Sequence, residues 1–255
     1  MPRFAANLHW LFTEHAFLDR FAAAAAAGFR AVEFPSPYEH PPDAIAERLE
    51  ANGLECVLFN LPSGDKARGD FGIACRPERQ DEFREAVALG IEYARRLRPP
   101  RVNCIAGKAH AEDDAALLEH TLTSNLGFAA REFGKAGLEL VIEPINSRDV
   151  PGFFVPRAKR AAELIAAVDE GNFGLQLDLY HTAMMGDDCG ELLESLRPLI
   201  RHIQFADVPG RGEPGTGAVD LPRLFERIDQ LGYPGWVAAE YRPSKPTVET
   251  LHWMK

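Results

Sequence analysis

The stretch that most clearly indicates the fold is Val141-Ile142-Glu143-Pro144, in which an apolar, β-branched run ends on a carboxylate. The pattern recurs three times further along the chain: Leu175-Gln176-Leu177 leads to Asp178, Ile200-Arg201-His202-Ile203 to Gln204, and Trp236-Val237-Ala238-Ala239 to Glu240. The four polar residues are 35, 26 and 36 positions apart, about the length of one strand-helix unit. Strands that each end in an oxygen ligand at this period are typical of the C-terminal mouth of a (β/α)8 barrel.

Strand-like and helix-like segments alternate over the rest of the chain. We predict strands at 3–8, 29–34, 54–60, 101–105, 138–143, 173–178, 200–206 and 235–240. Helices are predicted at 14–27, 41–52, 77–97, 113–136, 155–168, 188–196 and 221–231, with a short last one at 246–254. Eight alternations favour a closed parallel barrel over an open sheet. The 255 residues match one barrel of about 250, so we expect a single α/β domain over 1–255.

Composition and charge limit the classes of partner. The hydrophobic fraction of 46% and the charged fraction of 26% are ordinary for a soluble globular protein. A net charge of −10 argues against a nucleic-acid or anionic-membrane surface, although a small anionic substrate needs only one or two local cations. The four cysteines are far apart in the sequence, and no signal peptide or long apolar run is present. We therefore expect a cytoplasmic protein with reduced thiols.

The four strand-end residues indicate a metal site. Glu143, Asp178, Gln204 and Glu240 supply three carboxylates and one amide oxygen, ligands that favour Mg²⁺ or Mn²⁺ over Zn²⁺. Taken singly, each side chain could instead cap a helix or pair with an arginine. Taken together near one axis, they would repel one another without a cation. The sequence therefore predicts a divalent metal held by these four residues.

Two of these carboxylates also suit proton transfer. Strands 5 and 8 lie across the barrel from each other, so Glu143 and Glu240 can approach a central ligand from opposite sides. Such a pair could remove and return a proton on an α-hydroxy carbonyl through an enediolate, while a metal stabilises the developing oxyanion. The sequence leaves open which glutamate acts as base and which as acid.

Further side chains near strand ends are candidates for substrate contacts. His181 lies three residues past Asp178 on the predicted active face, whereas His202 shares a strand face with Gln204 and is expected to lie deeper in the barrel. Arg211 is the preferred cation for a substrate carboxylate, and the alternative for it is a solvated loop arginine. The remaining candidates are a second cation and two neutral donors: Lys108, Asn7 and Asn60.

With these residues in place, the chain resembles the hydroxypyruvate isomerase family within the xylose-isomerase-like barrels. The resemblance runs nearly end to end and is most specific in five segments, residues 59–65, 103–108, 142–146, 178–181 and 211–217. It implies a (β/α)8 barrel that interconverts hydroxypyruvate and 2-hydroxy-3-oxopropanoate. It also implies Glu143 and Glu240 as the proton-transfer pair, and the four-residue metal set.

Several alternatives to that activity stay open. Ketose 3-epimerases are similar in the same places but usually have a histidine where this chain has Gln204, which favours the isomerase branch and a weaker hold on the metal. The 2-oxotetronate isomerases are close relatives of the hydroxypyruvate isomerases, and the sequence does not separate the two activities. Endonuclease-type barrels carry several zinc ions and many histidines, a set this chain lacks. A barrel that binds a metabolite without catalysis is the alternative outside the enzymes. The oligomeric state also stays open, and a homo-oligomer is one possibility.

Overall fold

Eight parallel strands close into one barrel in chain order. The computed structural model describes residues 1–254, so the last residue of the predicted 1–255 domain lies outside it. The strands are β1 Arg3–Asn7, β2 Ala31–Phe34, β3 Glu55–Asn60, β4 Arg101–Cys104, β5 Glu139–Ile142, β6 Phe173–Asp178, β7 Ile200–Phe205 and β8 Trp236–Ala239. Each predicted strand boundary lies within two residues of the observed one, and the predicted (β/α)8 barrel is confirmed.

Helices connect successive strands and pack around the barrel. They are α1 Arg20–Ala26, α2 Pro42–Asn52, α3 Gln80–Leu97, α4 Ala115–Lys135, α5 Ala158–Val168, α6 Leu179–Met184, α7 Cys189–Ser195 and α8 Leu221–Gln230. Short 3₁₀ segments add Phe17–Asp19, Lys66–Arg68, Pro77–Arg79 and Thr247–Met254. The prediction of a helix over 14–27 was too long at its start, because only 17–26 is helical. The predicted last helix is a 3₁₀ segment with a kink at Leu251.

One helix was missed by the sequence analysis. α6 begins directly at the end of β6, where the side chain of Asp178 accepts a hydrogen bond from the backbone N–H of Tyr180 at 2.8 Å. This N-cap starts a helix with no intervening loop, so the residues after Asp178 turn at once over the barrel mouth. His181 is buried in the first turn of α6 as a result.

The strand register places polar side chains next to one another around the barrel. β1 and β2 pair Asn7 with Glu33, and β6 and β7 pair Asp178 with Gln204. The apolar core is mostly the layer between strands and helices, while a small cluster of Ala5, Ala31, Val57 and Ala238 joins neighbouring strands. Among residues 1–254, no helix combines the length and the apolar character needed to cross a membrane.

Candidate active site

A cavity of about 550 Å³ opens at the C-terminal ends of the strands. Its inner end is lined by Glu143 and Glu240, which directly follow β5 and β8, together with His181 and Arg211. This is the face at which (β/α)8 barrels carry their active sites. Asn60 also lines the cavity. Four of the predicted site residues do not line it: Asn7, Lys108, Asp178 and Gln204.

Three side chains lie close enough to hold one metal ion. One ligand atom each from Glu143, Asp178 and His181 lies within 4.8 Å of the others, and all three residues are buried. Within residues 1–254 no other group of three or more histidine, cysteine, aspartate or glutamate side chains meets this condition. The group fits a divalent metal, since it joins two carboxylates with one imidazole.

The guanidinium of Arg211 lies among the carboxylates. Its Nη2 is 3.1 Å from both Asp178 Oδ2 and Glu240 Oε1, and its Nε donates to the backbone oxygen of Glu240 at 3.1 Å. The rings of Trp10 and Tyr180 lie 5.2 and 4.7 Å from its Cζ. A cation in this position offsets the repulsion between the two carboxylates, and the aromatic rings restrain it further.

The loop after β7 places Arg211 by means of a single buried aspartate. The Asp207 side chain accepts backbone N–H bonds from Val208, Gly215, Gly217 and Val219 at 2.8 to 3.0 Å. Gly217 is required here, because a Cβ at that position would collide with the backbone oxygen of Val208. Arg211 itself takes a left-handed conformation at φ 57°. Residues 210–215 read Gly-x-Gly-x-x-Gly, the letters of a dinucleotide-binding turn, but they form a loop after β7 that carries Arg211 and not a strand-to-helix turn.

Burial changes the ionisation of the site carboxyls. Burial and then the charges of Glu240 and Asp178 raise the pKa of Glu143 well above its ordinary value. Burial raises the pKa of Glu240 to about 8, against the lowering effect of Arg211. The pKa of Asp178 is also raised, chiefly by burial. At neutral pH these raised pKa values keep protons on the glutamate pair while no cation is bound, so a protonated carboxyl is available as an acid and becomes a base once it ionises.

The oxygens of the two glutamates have different partners. Glu240 Oε1 accepts a hydrogen bond from Trp10 Nε1 at 3.1 Å, while Glu240 Oε2 is buried and has no partner within residues 1–254. Glu143 Oε2 accepts from Asn103 Nδ2 at 3.0 Å. An unpartnered buried carboxylate oxygen is costly, so Glu240 Oε2 is suited to bind a cation or to accept a proton from a substrate.

Histidine 181 is oriented by Asn146. The side-chain amide nitrogen of Asn146 lies 2.7 Å from His181 Nδ1, so in this arrangement Nδ1 accepts and Nε2 carries the hydrogen. Nε2 lies 3.5 Å from Asp178 Oδ2 and 3.8 Å from Glu143 Oε1. Burial and then Arg211 lower the pKa of His181 well below its ordinary value, which keeps the ring neutral. A metal-ligating histidine usually donates from its second nitrogen, so these bonds favour His181 as a donor to substrate over a metal ligand.

Gln204 belongs to a buried hydrogen-bond network around Glu33. Its amide nitrogen donates to Glu33 Oε1 at 2.7 Å, and its oxygen accepts from Gln176 Nε2 at 2.5 Å. Asn7 Nδ2 also donates to Glu33 Oε1 at 2.8 Å, and His202 Nε2 lies 2.5 Å from Glu33 Oε2. Asn7 and His202 therefore lie beneath the cavity, and Asn7 supports the layer that holds Gln204.

The two remaining candidates differ in position. Asn60 lines the cavity, and its side-chain oxygen accepts from Asn103 Nδ2 at 3.2 Å. Lys108 forms an isolated bridge with Phe153, and its backbone oxygen accepts a hydrogen bond from Arg76. The chain segment at Lys108 thus supports the wall of the site, while its amine is not at the cavity surface.

Three residues of the site were missed by the sequence analysis: Glu33, Trp10 and Asn146. Glu33 was recognisable in principle, because it is an ionisable residue inside the otherwise apolar strand Ala31-Val32-Glu33-Phe34. Asn146 ends the run that begins at Glu143, but its bond to His181 depends on α6 starting directly after β6. Trp10 has no comparable signal, since only the folded loop after β1 brings it to Glu240.

Comparison with known proteins places the chain in a family. A family model described as xylose isomerase-like TIM barrel matches residues 21–255. The chain belongs to this family. This agrees with the closed eight-stranded barrel and with the cluster of carboxylates at its mouth.

Similar proteins cover the whole chain. It is 45% identical over 255 residues to a 2-oxo-tetronate isomerase of Cupriavidus necator, and the match covers 100% of this chain and 98% of that protein. It is 43% identical over 254 residues to a hydroxypyruvate isomerase of Escherichia coli, with the same two coverages. A crystal structure described as an AP endonuclease of family 2 from Brucella melitensis superposes with a TM-score of 0.97 at 39% identity, covering 100% of this chain and 98% of that one.

Proposed function

We propose that the protein is an isomerase that interconverts hydroxypyruvate and 2-hydroxy-3-oxopropanoate by proton transfer through an enediolate. The observation that carries the proposal is the pair Glu143 and Glu240, which face one cavity with raised pKa values and an unpartnered oxygen on Glu240. The similarity to two isomerases of short hydroxy-oxo acids supports it. Four buried free cysteines support a reducing, cytoplasmic location.

We propose Mg²⁺ or Mn²⁺ as the metal, held by Glu143, Asp178, Gln204 and Glu240. Oxygen donors favour these ions, and an amide oxygen has two lone pairs, so Gln204 Oε1 can accept from Gln176 and still coordinate a cation. When bound, such an ion stabilises negative charge on the substrate oxygens. His181 remains the alternative third ligand within the group of Glu143, Asp178 and His181.

The glutamate pair divides the proton transfer between two positioned carboxyls. Trp10 and Arg211 hold Oε1 of Glu240, which leaves Oε2 directed at a ligand as the proton-accepting atom. Asn103 holds Oε2 of Glu143, so its Oε1 is the oxygen nearer to the reacting carbons. One carboxyl removes the proton from the carbinol carbon, and the protonated partner returns a proton to the neighbouring carbon. The hydroxyl proton passes from the carbinol oxygen to the former carbonyl oxygen. The roles exchange in the reverse direction.

Polar groups around the pair orient the hydroxy-carbonyl end of the substrate. His181 presents a neutral Nε2–H that can donate to the carbonyl oxygen. Arg211 directs three of its five N–H groups, those on Nε and Nη2, at protein oxygens, so the two on Nη1 remain for a substrate oxygen. Asn60 lines the same cavity and supplies a neutral amide.

A second candidate substrate is 2-oxo-tetronate, with one more carbon. The specific observation in its favour is the cavity volume of about 550 Å³. A three-carbon acid displaces roughly the volume of four or five waters, at ~30 Å³ each. The cavity is several times larger than such a substrate. Its size is therefore compatible with four carbons or with a sugar.

The test is a side-by-side NMR assay in D₂O. Hydroxypyruvate, 2-oxo-tetronate and a ketohexose are incubated with enzyme, with Mn²⁺ or with a chelator. The proposal predicts product from one of the acids, with solvent deuterium in the carbon-bound position. Turnover of the ketohexose alone would identify an epimerase, and no deuterium in any substrate would indicate a binding protein.

A further inference from the structure

Two cations at the rim of the cavity are not used by the mechanism. Lys66 is in the loop after β3, Arg242 follows β8, and both are exposed and line the cavity that contains Glu143 and Glu240. Within residues 1–254 neither side chain takes part in an ion pair, in contrast to Arg211 at the inner end. We refer to Lys66 and Arg242 as the rim cations.

We propose that the rim cations form an anion subsite that binds the carboxylate of the acid substrate. The inference rests on the proposed function, because it assigns the charged end of that substrate. The sequence favoured Arg211 or Lys108 for contact with the substrate carboxylate. We assign this contact to the rim cations instead.

The inner end of the cavity is unsuitable for a substrate carboxylate. Glu143 and Glu240 line it, and Asp178 lies just behind. Arg211 is the guanidinium at that end, and its Nη2 already lies 3.1 Å from two of these carboxylates. An anion placed there would meet three carboxylates and one guanidinium that two of them already share. At the rim, Lys66 and Arg242 supply two positive charges against the single exposed carboxylate of Asp149.

Trp10 connects the rim to the reacting end. Its Nε1 donates to Glu240 Oε1 at 3.1 Å, and Arg242 Cζ lies 5.3 Å from its ring centroid. A cation–π contact of this kind restrains an exposed arginine without using any of its N–H donors. Arg242 therefore retains its planar fork for two carboxylate oxygens, while the same indole orients the carboxyl that moves the proton.

The other side of the rim carries positive potential as well. Burial, and then Lys66, lower the pKa of the neighbouring His9, so this imidazole stays neutral between the cations. His9 and Trp10 follow β1, whose neighbours in the barrel are β2 and β8. The rim thus runs from Lys66 past His9 and Trp10 to Arg242. A substrate whose carboxylate binds there points its hydroxy-carbonyl carbons inward to Glu143 and Glu240.

The test compares charged and uncharged ligands of equal carbon number. Arg242→Gln, Lys66→Gln and the double variant are assayed with hydroxypyruvate, and calorimetry measures the binding of glycerate and of glycerol as unreactive ligands. Lys245→Gln and Arg68→Gln are matched controls, because each removes a cation from the same segment outside the cavity lining. Arg242→Lys tests rescue by a charge without the fork.

We expect Arg242→Gln to raise KM for hydroxypyruvate and Kd for glycerate by about tenfold, with kcat within about twofold, and the double variant to lose more. Glycerol binding and both controls should be unchanged, and the losses should shrink at high salt, because exposed charges are screened. Wild-type affinity for glycerate in the double variant would overturn the inference, as would failure of the wild type to prefer glycerate over glycerol. Absence of hydroxypyruvate turnover with intact glycerate binding would instead contradict the proposed function.

Discussion

At the scale of single residues, the two glutamates illustrate how burial prepares a carboxyl pair for proton transfer. Both are enclosed by the barrel, and burial is the largest cause of the raised pKa of each. Their hydrogen bonds differ, because Glu240 receives an indole and a guanidinium on one oxygen, whereas Glu143 receives an amide. The pair is therefore asymmetric in a way that the sequence motif alone does not reveal.

Glu143→Gln and Glu240→Gln should each retain the fold and lose turnover by a factor of about 10² to 10⁴, which is what a positioned acid or base supplies. Circular dichroism and steady-state kinetics are the measurements. Glu139→Gln is a suitable control, because it changes the same kind of side chain at the opposite end of β5. Near-wild-type activity in either variant would rule out the two-carboxylate mechanism.

Gln204→His should tighten the binding of Mn²⁺ or Co²⁺. An imidazole at this position can donate one N–H to Glu33, replacing the bond now made by the Gln204 amide, and present the other nitrogen to the metal. Titration calorimetry measures the affinity, with Gln204→Ala as the variant expected to bind less tightly than wild type. Unchanged affinity in both variants would remove Gln204 from the metal site.

At the scale of elements, the strands were predictable and the connections after them were not. Runs such as Phe173–Asp178 are apolar, short and followed by turn residues, so each strand could be located from sequence. The short helix α6 has too few residues to show a periodic pattern, and its existence depends on the Asp178 cap. Similarly, the bonds of Asp207 depend on backbone N–H groups up to twelve residues away, which no local pattern indicates.

Asp207→Asn should release the loop that carries Arg211 while leaving the barrel folded. The amide keeps one acceptor oxygen, but its NH₂ group faces backbone donors, so buried N–H groups lose their partner at a cost of about 1–3 kcal/mol. We expect faster hydrogen exchange over 208–219 and a fall in kcat/KM of about 10², since misplacing a positioning group by about 1 Å has such effects.

Asp188→Asn provides the matched control for this change. Asp188 caps α7 by accepting from the backbone N–H of Glu191, and it does not line the cavity. In Asp188→Asn, hydrogen exchange should become faster only in α7, and the enzyme should retain its activity. Equal exchange in the 208–219 loop of wild type and Asp207→Asn would show that other contacts hold the loop.

At the scale of the whole molecule, the site is a buried acidic cluster in a protein with a net charge of −10. The sequence predicted which carboxylates meet, since strand order and spacing determine that. It did not predict that Arg211 would lie between Asp178 and Glu240. The local sequence of a loop does not show whether its arginine faces solvent or is buried. The ionisation of the cluster should therefore couple metal binding, stability and pH.

The stability of the protein in chelator should fall as the pH rises from about 7 to 8.5. Glu240 has a pKa of about 8 in the folded state, above its ordinary value near 4.5, so the folded state binds more protons than the unfolded chain in this window. A carboxyl whose pKa is raised on folding stabilises the folded protein fully below the pKa of the unfolded chain, and this stabilisation is lost as the pH rises through the pKa of the folded state. For one proton, the free energy of unfolding falls by at most about 1.4 kcal/mol per pH unit. The pKa values of His181 and His9 are lowered, so both rings are neutral above about pH 7 and do not change the free energy of unfolding with pH in this window.

Mn²⁺ should reverse this trend, because a metal binds the ionised carboxylates and displaces their protons. Calorimetric melting temperatures at pH 7.0 and 8.5, with chelator and with Mn²⁺, should show a larger stabilisation by Mn²⁺ at the higher pH. Glu240→Gln removes the titrating carboxyl, so its melting temperature in chelator should depend less on pH than that of wild type. A melting temperature that does not fall with pH in chelator would mean that both glutamates are already ionised at neutral pH, with Arg211 outweighing burial. In that case the metal-free pair would hold no proton, and the acid of the mechanism would have to be another group.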